Sequence, residues 1–113
     1  MAVTDPRDRR LEWAATSVRA HAIEEYYRAG QAEFARLLKS KGFRDEEVGS
    51  HAGLADTSLM LATDPRLVRA DRLRSGEGVN GDPGRSSAEL AQLGVDLIVT
   101  RTVEAVRKAV ARH

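Results

Sequence analysis

From Ser86 to about Arg112 the chain carries one amphipathic pattern. Val95, Val99, Val103, Val106 and Val110 form a stripe, and Leu90, Leu93 and Leu97 widen it at the N-terminal end. At 1.5 Å per residue the pattern predicts a helix of roughly 40 Å. An apolar face of that length has to be covered by a sheet or by several helices. Ser86-Ser87-Ala88-Glu89 reads as its capping box, with Ser86 and Glu89 satisfying each other's orphan amides.

The rest of the 113 residues offers mostly helical cover. Ala32, Phe34, Ala35, Leu37 and Leu38 recur at helical spacing between Gln31 and Lys41, and Gly42 stands where a C-terminal glycine cap belongs. Residues 44–48 read as one helical turn ended by Gly49, and Leu54 to Ala62 as a second helix. Asp64-Pro65 closes that helix and caps a further turn, while residues 75–85 are a glycine-rich loop. Residues 1–15 are a polar, Arg-rich lead-in with helical character from Arg7 to Ala15. Residues 17–27, with partial alternation over Ser17–Ile23, fit a strand that closes toward Gly30. A lone strand leaves its backbone donors and acceptors unpaired. Either the segment is not a strand and the protein is a small helical one, or other strands of the domain lie outside this sequence. The second alternative accounts better for the long apolar face.

Composition narrows the function classes. Eighteen Lys and Arg against 17 Asp and Glu leave a net charge of +1, and aromatics are 4% of residues, which speaks against a nucleic-acid-binding surface. The absence of cysteine excludes disulfides, zinc fingers and a thiol nucleophile. No apolar run approaches the ~20 residues of a membrane span, and the N-terminus lacks the apolar stretch of a signal peptide. The expectation is a single soluble domain, cytoplasmic by default, with no nucleic-acid or membrane partner.

Few side chains are arranged for chemistry. His113 is terminal, and His21 reads as a structural residue of the strand. His51 differs: it lies in the bend Gly49-Ser50-His51-Ala52-Gly53, with Asp56 in the helical turn that follows. A histidine there, with a carboxylate one turn on, can serve as a proton donor or acceptor. The same spacing also suits ordinary polar residues at a helix start. The pairs Glu24-Glu25 and Glu46-Glu47 read as solvated charges, and no spacing of His, Asp or Glu forms a metal-ligand motif. The loop at 76–84 lacks the ending of a P-loop and reads as a connector. No Gly-x-Ser-x-Gly elbow is present, and Arg66, Arg69, Arg72 and Arg74 are interleaved with acids as on a solvated surface.

The run His51-Ala52-Gly53-Leu54-Ala55-Asp56-Thr57-Ser58, an apolar helix, and then Pro65-Arg66-Leu67-Val68 resembles the signature of the creatininase (creatinine amidohydrolase) family. Gly78-Val79-Asn80-Gly81-Asp82-Pro83, followed by Ser86 to Leu90, is similar to a later loop of that family and to the start of its last helix. Glu25-Tyr26-Tyr27 resembles the end of a family strand that leads into an aromatic pair. The resemblance covers residues ~12–112 and corresponds to the C-terminal half of the family domain, whose members are about twice this length.

The resemblance implies an α/β fold, the C-terminal half of an α/β/α sandwich, mostly helical in this chain with one or few short strands. It implies a metal-dependent amidohydrolase acting on a cyclic or linear amide. His51 would handle protons as the amide opens, Asp56 would stand in place of a motif Glu near it, and Tyr27 and Gly53 would contact the substrate. Leu54 replaces another motif Glu and its carboxylate chemistry. A divalent metal, Zn or Mn, is implied for the full-length family, with ligands that this chain does not contain. The chain is then an incomplete or inactive fragment, completed by an N-terminal half or assembled as a homo-oligomer. The alternative is a small, mostly helical binding or oligomerisation module that uses the valine stripe for association.

Overall fold

The computed structural model describes Trp13 and residues 15–111. The lead-in at 1–12, the end of the last helix at Arg112, and His113 lie outside the described residues. Helix α1 (Glu24–Arg28) runs through a π-helical turn (Ala29–Glu33) into α2 (Phe34–Ser40). The short α3 (Asp45–Val48) and then α4 (Leu54–Thr63) follow. Two 3-10 turns (Pro65–Leu67 and Ala70–Arg72) and a third (Pro83–Arg85) lead to α5 (Ala88–Ala111).

Among the described residues there is no strand, and the β-type pairing present is an isolated antiparallel bridge between His51 and Asn80. The strand expected at 17–27 is therefore corrected: 17–23 is irregular, and Glu24–Arg28 is helical. Without a neighbouring strand, extended backbone here would leave its donors and acceptors unmatched. As a helix the segment satisfies them internally. It also carries Glu24 and Glu25 in its first turn and Arg28 in its last, the polarity a helix dipole favours. Nor does Gly30 end the element, because the chain stays helical through it, with Ile98 of α5 packed close by.

The core sits where α2, α3, α4 and the first turns of α5 converge. Phe34, Leu38, Val48 and Leu54 are buried together, flanked by Leu37, Phe43, Leu59 and Leu90. Burial of side chains this large stabilises by roughly 1.5–3 kcal/mol each. Phe34 lies against Gly94, where an added Cβ would come 3.0 Å from three ring atoms. Gly94 thus lets the α5 backbone approach the ring.

Helix ends follow the sequence closely at α2. Gly42, at φ +96°, donates to Lys39 O (3.0 Å) and Phe43 donates to Leu38 O (3.3 Å), the paired bonds of a Schellman cap. At the turn after α4, Asp64 accepts from the Arg66 N–H and pairs with its guanidinium, each at 3.0 Å. The side-chain bond first, and the backbone bond after it, hold the Asp64 carboxyl below its usual range.

The start of α5 is shifted by one residue from the expected box. Ser87 is the cap, its Oγ accepting from Leu90 N–H (3.2 Å), while Ser86 closes the preceding 3-10 turn. With Ser87 at the cap, Leu90 and not Glu89 stands three residues on, so the reciprocal carboxylate bond cannot form.

The buried positions on α5 are Ala91 and Gly94, small residues that permit close packing. The valine stripe is turned away from that contact. Val99 is 54% exposed and Val110 66%, so the face expected to be covered stays open to solvent. The radius of gyration, 17.3 Å, exceeds the ~13 Å of a compact chain of this length.

Candidate functional site

Two loops distant in sequence build the site by close backbone contact. Gly49 (φ +65°) and Gly81 (φ +136°) adopt left-handed backbone conformations in which a side chain is strained. A Cβ on Gly49 would run into Asn80 O, and one on Gly53 would stand 2.6 Å from Val48 O and 3.0 Å from Gly81 Cα. A Cβ on Gly81 would stand 2.8 Å from Gly53 Cα. Three glycines from two segments therefore interlock.

Across that contact the bridge forms. Asn80 N–H donates to His51 O (2.8 Å), His51 N–H and Ser50 N–H donate to Asn80 O (3.1 and 2.9 Å), and Asp82 N–H donates to Glu47 O (2.9 Å). The Asn80 side chain adds to it: Oδ1 accepts from Ser50 N–H at 3.0 Å and from Ser50 Oγ at 2.8 Å. The segment at 76–84, expected as a connector, instead holds the His51 bend in place.

The bend then turns into α4. Ala52 sits at φ +55°, and Asp56 Oδ2 accepts its N–H at 3.0 Å, while Thr57 Oγ1 donates to Ala52 O at 3.2 Å. Asp56 thus fastens the backbone that carries His51. Among the described residues, His51 and Asp56 make no hydrogen bond to one another. Both side chains nevertheless line one open groove of about 560 Å³, walled otherwise mainly by Leu59, Met60, Leu67, Val68 and Leu73. Its size falls within the range of small-molecule sites. Buried Ser58, on α4 behind the groove, accepts the Ser87 N–H at 3.2 Å and ties α4 to the start of α5.

Below the bend lies Glu47, expected as a solvated charge and found only 4% exposed. Glu46 is exposed as expected. Glu47 Oε2 accepts from Arg44 N–H (3.0 Å), and Oε1 accepts from Arg85 Nη1 (2.9 Å). The Arg44 amide first, and then the Arg85 guanidinium against the opposing effect of burial, hold its carboxyl below the usual range. Sequence spacing hides this role, because Arg85 is remote in the chain.

The remaining expected residues lie apart or serve as framework. Gly53 is buried beneath the bend as part of the glycine interlock. Tyr27 is 69% exposed on α1, edge-on to Tyr26 with ring centroids 5.3 Å apart, and it is not among the residues lining the His51 groove. His21 is exposed at the rim of a small hollow with Glu25 and Lys108, rather than buried in a strand. Asn80, Ser50, Gly49, Gly81 and Glu47 are the positioning residues that sequence reading passed over. The Asn80-Gly81 dipeptide and the four-residue spacing of Gly49 and Gly53 were the signals available.

A divalent metal is implied for the family, so the donor set matters. Among the described residues no group of three His, Cys, Asp or Glu side chains comes together that could hold a metal ion. The residues present therefore do not fit a metal centre by themselves. Nor is any helix of the described residues long and apolar enough to cross a membrane.

The family model described as creatinine amidohydrolase matches residues 7–106, most of the chain, and the protein belongs to the creatininase family. Neither the curated proteins nor the solved structures yield a match.

Proposed function

We propose that this chain supplies the proton-handling side of a metal-dependent amidohydrolase acting on a cyclic or linear amide. The observation that carries this is the placement of His51 and Asp56 on one groove, with the backbone between them clamped by Asn80 and Asp56. Hydrolysis of an amide needs a proton at the departing nitrogen, since an amide anion is too poor a leaving group to depart unprotonated. His51, exposed at the groove and carried on a fixed backbone, is the group that delivers it. Asp56 is a positioning residue in this reading, setting the bend through Ala52.

Activation of water and stabilisation of the oxyanion fall to groups outside the described residues, consistent with the α/β sandwich and divalent metal of the family. A polypeptide bearing those strands would cover the site and complete it. By itself the chain is inactive.

The test is a hydrolysis assay of the purified chain on lactams and linear amides with added Zn²⁺ or Mn²⁺, alongside NMR titration of the same amides. The expected result is amide-dependent shifts at His51 and along Leu59–Leu73 without turnover. Metal-dependent hydrolysis lost in His51→Gln would keep the amidohydrolase reading and overturn the incompleteness. No shift with any amide would overturn the amidohydrolase reading itself.

A second reading has one observation behind it, the exposed Val99, Val106 and Val110 on α5. A face of this kind suits association with another chain, including a second copy. Sedimentation of the purified chain separates this reading from the first: a monomer across the micromolar range excludes self-association through the stripe.

A further inference from the structure

Asn80 is the sole asparagine of the chain, and glycine follows it. It is exposed, and it holds the bend that carries His51 through both its backbone and its side chain. An Asn-Gly step is the sequence in which a backbone amide most easily reaches the preceding side chain, because the following residue has no Cβ to obstruct the approach. Among the described residues the Gly81 N–H donates to no acceptor, so no hydrogen bond has to be broken to use it. Asn80 Oδ1 already accepts two donors, Ser50 N–H and Ser50 Oγ, at 3.0 and 2.8 Å. Donors in that position draw electron density from Cγ and stabilise the negative charge that develops on Oδ1 when a nucleophile adds.

We propose that Asn80 is a self-modifying residue whose conversion releases the His51 bend. The Gly81 nitrogen adds to Asn80 Cγ, a C–N bond forms, and the side-chain nitrogen leaves as ammonia with the proton that Gly81 gives up. The cyclic imide then takes up water at either carbonyl. Opening at one gives aspartate in the original backbone, and opening at the other gives isoaspartate, with the chain running through the former side chain.

The isoaspartyl product cannot keep the clamp. The carbonyl that accepted from Ser50 and His51 becomes a free carboxylate off the main chain, and an added methylene displaces Gly81. Gly81 cannot move without disturbing its close approach to Gly49 and Gly53. Its consequence for catalysis rests on the amidohydrolase reading of the groove; the modification and the loss of the clamp do not.

The experiment incubates the folded chain at mildly alkaline pH and follows residue 80 by peptide mapping, with a method that separates aspartyl from isoaspartyl forms. Hydrogen exchange at Ser50, His51 and Asn80 is read on the same samples. A free peptide spanning Gly78–Asp82 and the variant Asn80→Gln are run in parallel. The expected result is conversion at Asn80 that grows with time and hydroxide concentration. Protection at His51 and Ser50 should be present in fresh protein and in Asn80→Gln, and should be lost in proportion to isoaspartate. Asn80 left intact through an incubation that converts the free peptide completely would overturn the proposal. So would conversion that leaves His51 protection unchanged, or the absence of that protection in fresh protein. None of these readouts uses catalytic activity, so failure of the amidohydrolase reading would be seen separately.

Discussion

Glu47 and Arg85, 38 residues apart in sequence, meet at 2.9 Å, and the same guanidinium lies 4.3 Å from the centroid of the Phe43 ring. The pair joins the α3 turn to the 3-10 turn that precedes α5, so it holds both sides of the glycine interlock. Because the acid is buried and the arginine is largely exposed, the pair combines a shielded carboxylate with a hydrated partner. Glu47 also accepts a second bond, from the Arg44 amide at 3.0 Å.

Acid should therefore loosen the site through Glu47. Its carboxyl titrates lower in the folded chain than in the unfolded one, chiefly because the Arg44 amide donates to it. The contribution is present in full above the unfolded value and is lost as pH falls through the folded value. Urea unfolding of wild type and Glu47→Gln, measured from pH 7 down to about pH 3, should show a gap that is constant to about pH 5 and then closes. A gap independent of pH would mean that the carboxylate charge contributes nothing.

The interlock predicts a contrast between glycines. Gly53→Ala must push Val48 O and the Gly81 backbone aside, and neither is a flexible side-chain end. Its cost should be about 1–3 kcal/mol. Gly76→Ala meets open space and no left-handed backbone, so it should be neutral or stabilising by about 0.4–1 kcal/mol through the unfolded chain. Equal effects in thermal or urea unfolding would remove the interlock as a structural element.

What the sequence makes legible here is mostly local. The Gly42 cap, the α4 helix and the Asp64-Pro65 turn depend on residues within a few positions of each other, and the structure forms them where expected. The helix of residues 88–111 was legible too, but its orientation was not. The valines suggested the covered face, whereas Gly94 and Ala91 decide it, because the closest approach belongs to the smallest side chains. Residues 17–27 were misread for a related reason: alternation measures amphipathicity, and strand formation also needs a neighbour to receive the backbone bonds. At the site, His51 and Asp56 were visible as a pair, but Asp56 works on Ala52 rather than on the imidazole. Glu47 and Asn80 depend on partners about 30 to 40 positions away, which no local pattern reports.

Ala52 is held at φ +55° by the bend, a conformation that costs a residue with a Cβ about 1–2 kcal/mol. Glycine adopts it freely but loses more entropy on folding, by about 0.5–1 kcal/mol. Ala52→Gly should therefore be stabilising by up to about 1 kcal/mol, with His51 protection from hydrogen exchange retained. Destabilisation instead would show that the Ala52 methyl contributes to the groove wall.

Among the described residues, Thr102 Oγ1 on the buried face of α5 is a buried side-chain oxygen without a hydrogen-bond partner. A hydroxyl removed from water and left unbonded costs about 1–3 kcal/mol. Valine replaces it with a methyl of nearly the same shape, and both residues are β-branched, so helix propensity changes little. Thr102→Val should raise stability by about 1 kcal/mol. Thr100 is exposed on the same helix, and Thr100→Val should stay within about 0.5 kcal/mol of wild type. If both substitutions stabilise alike, the gain belongs to the helix rather than to the orphaned hydroxyl. If Thr102→Val destabilises, the hydroxyl has a partner in the folded chain.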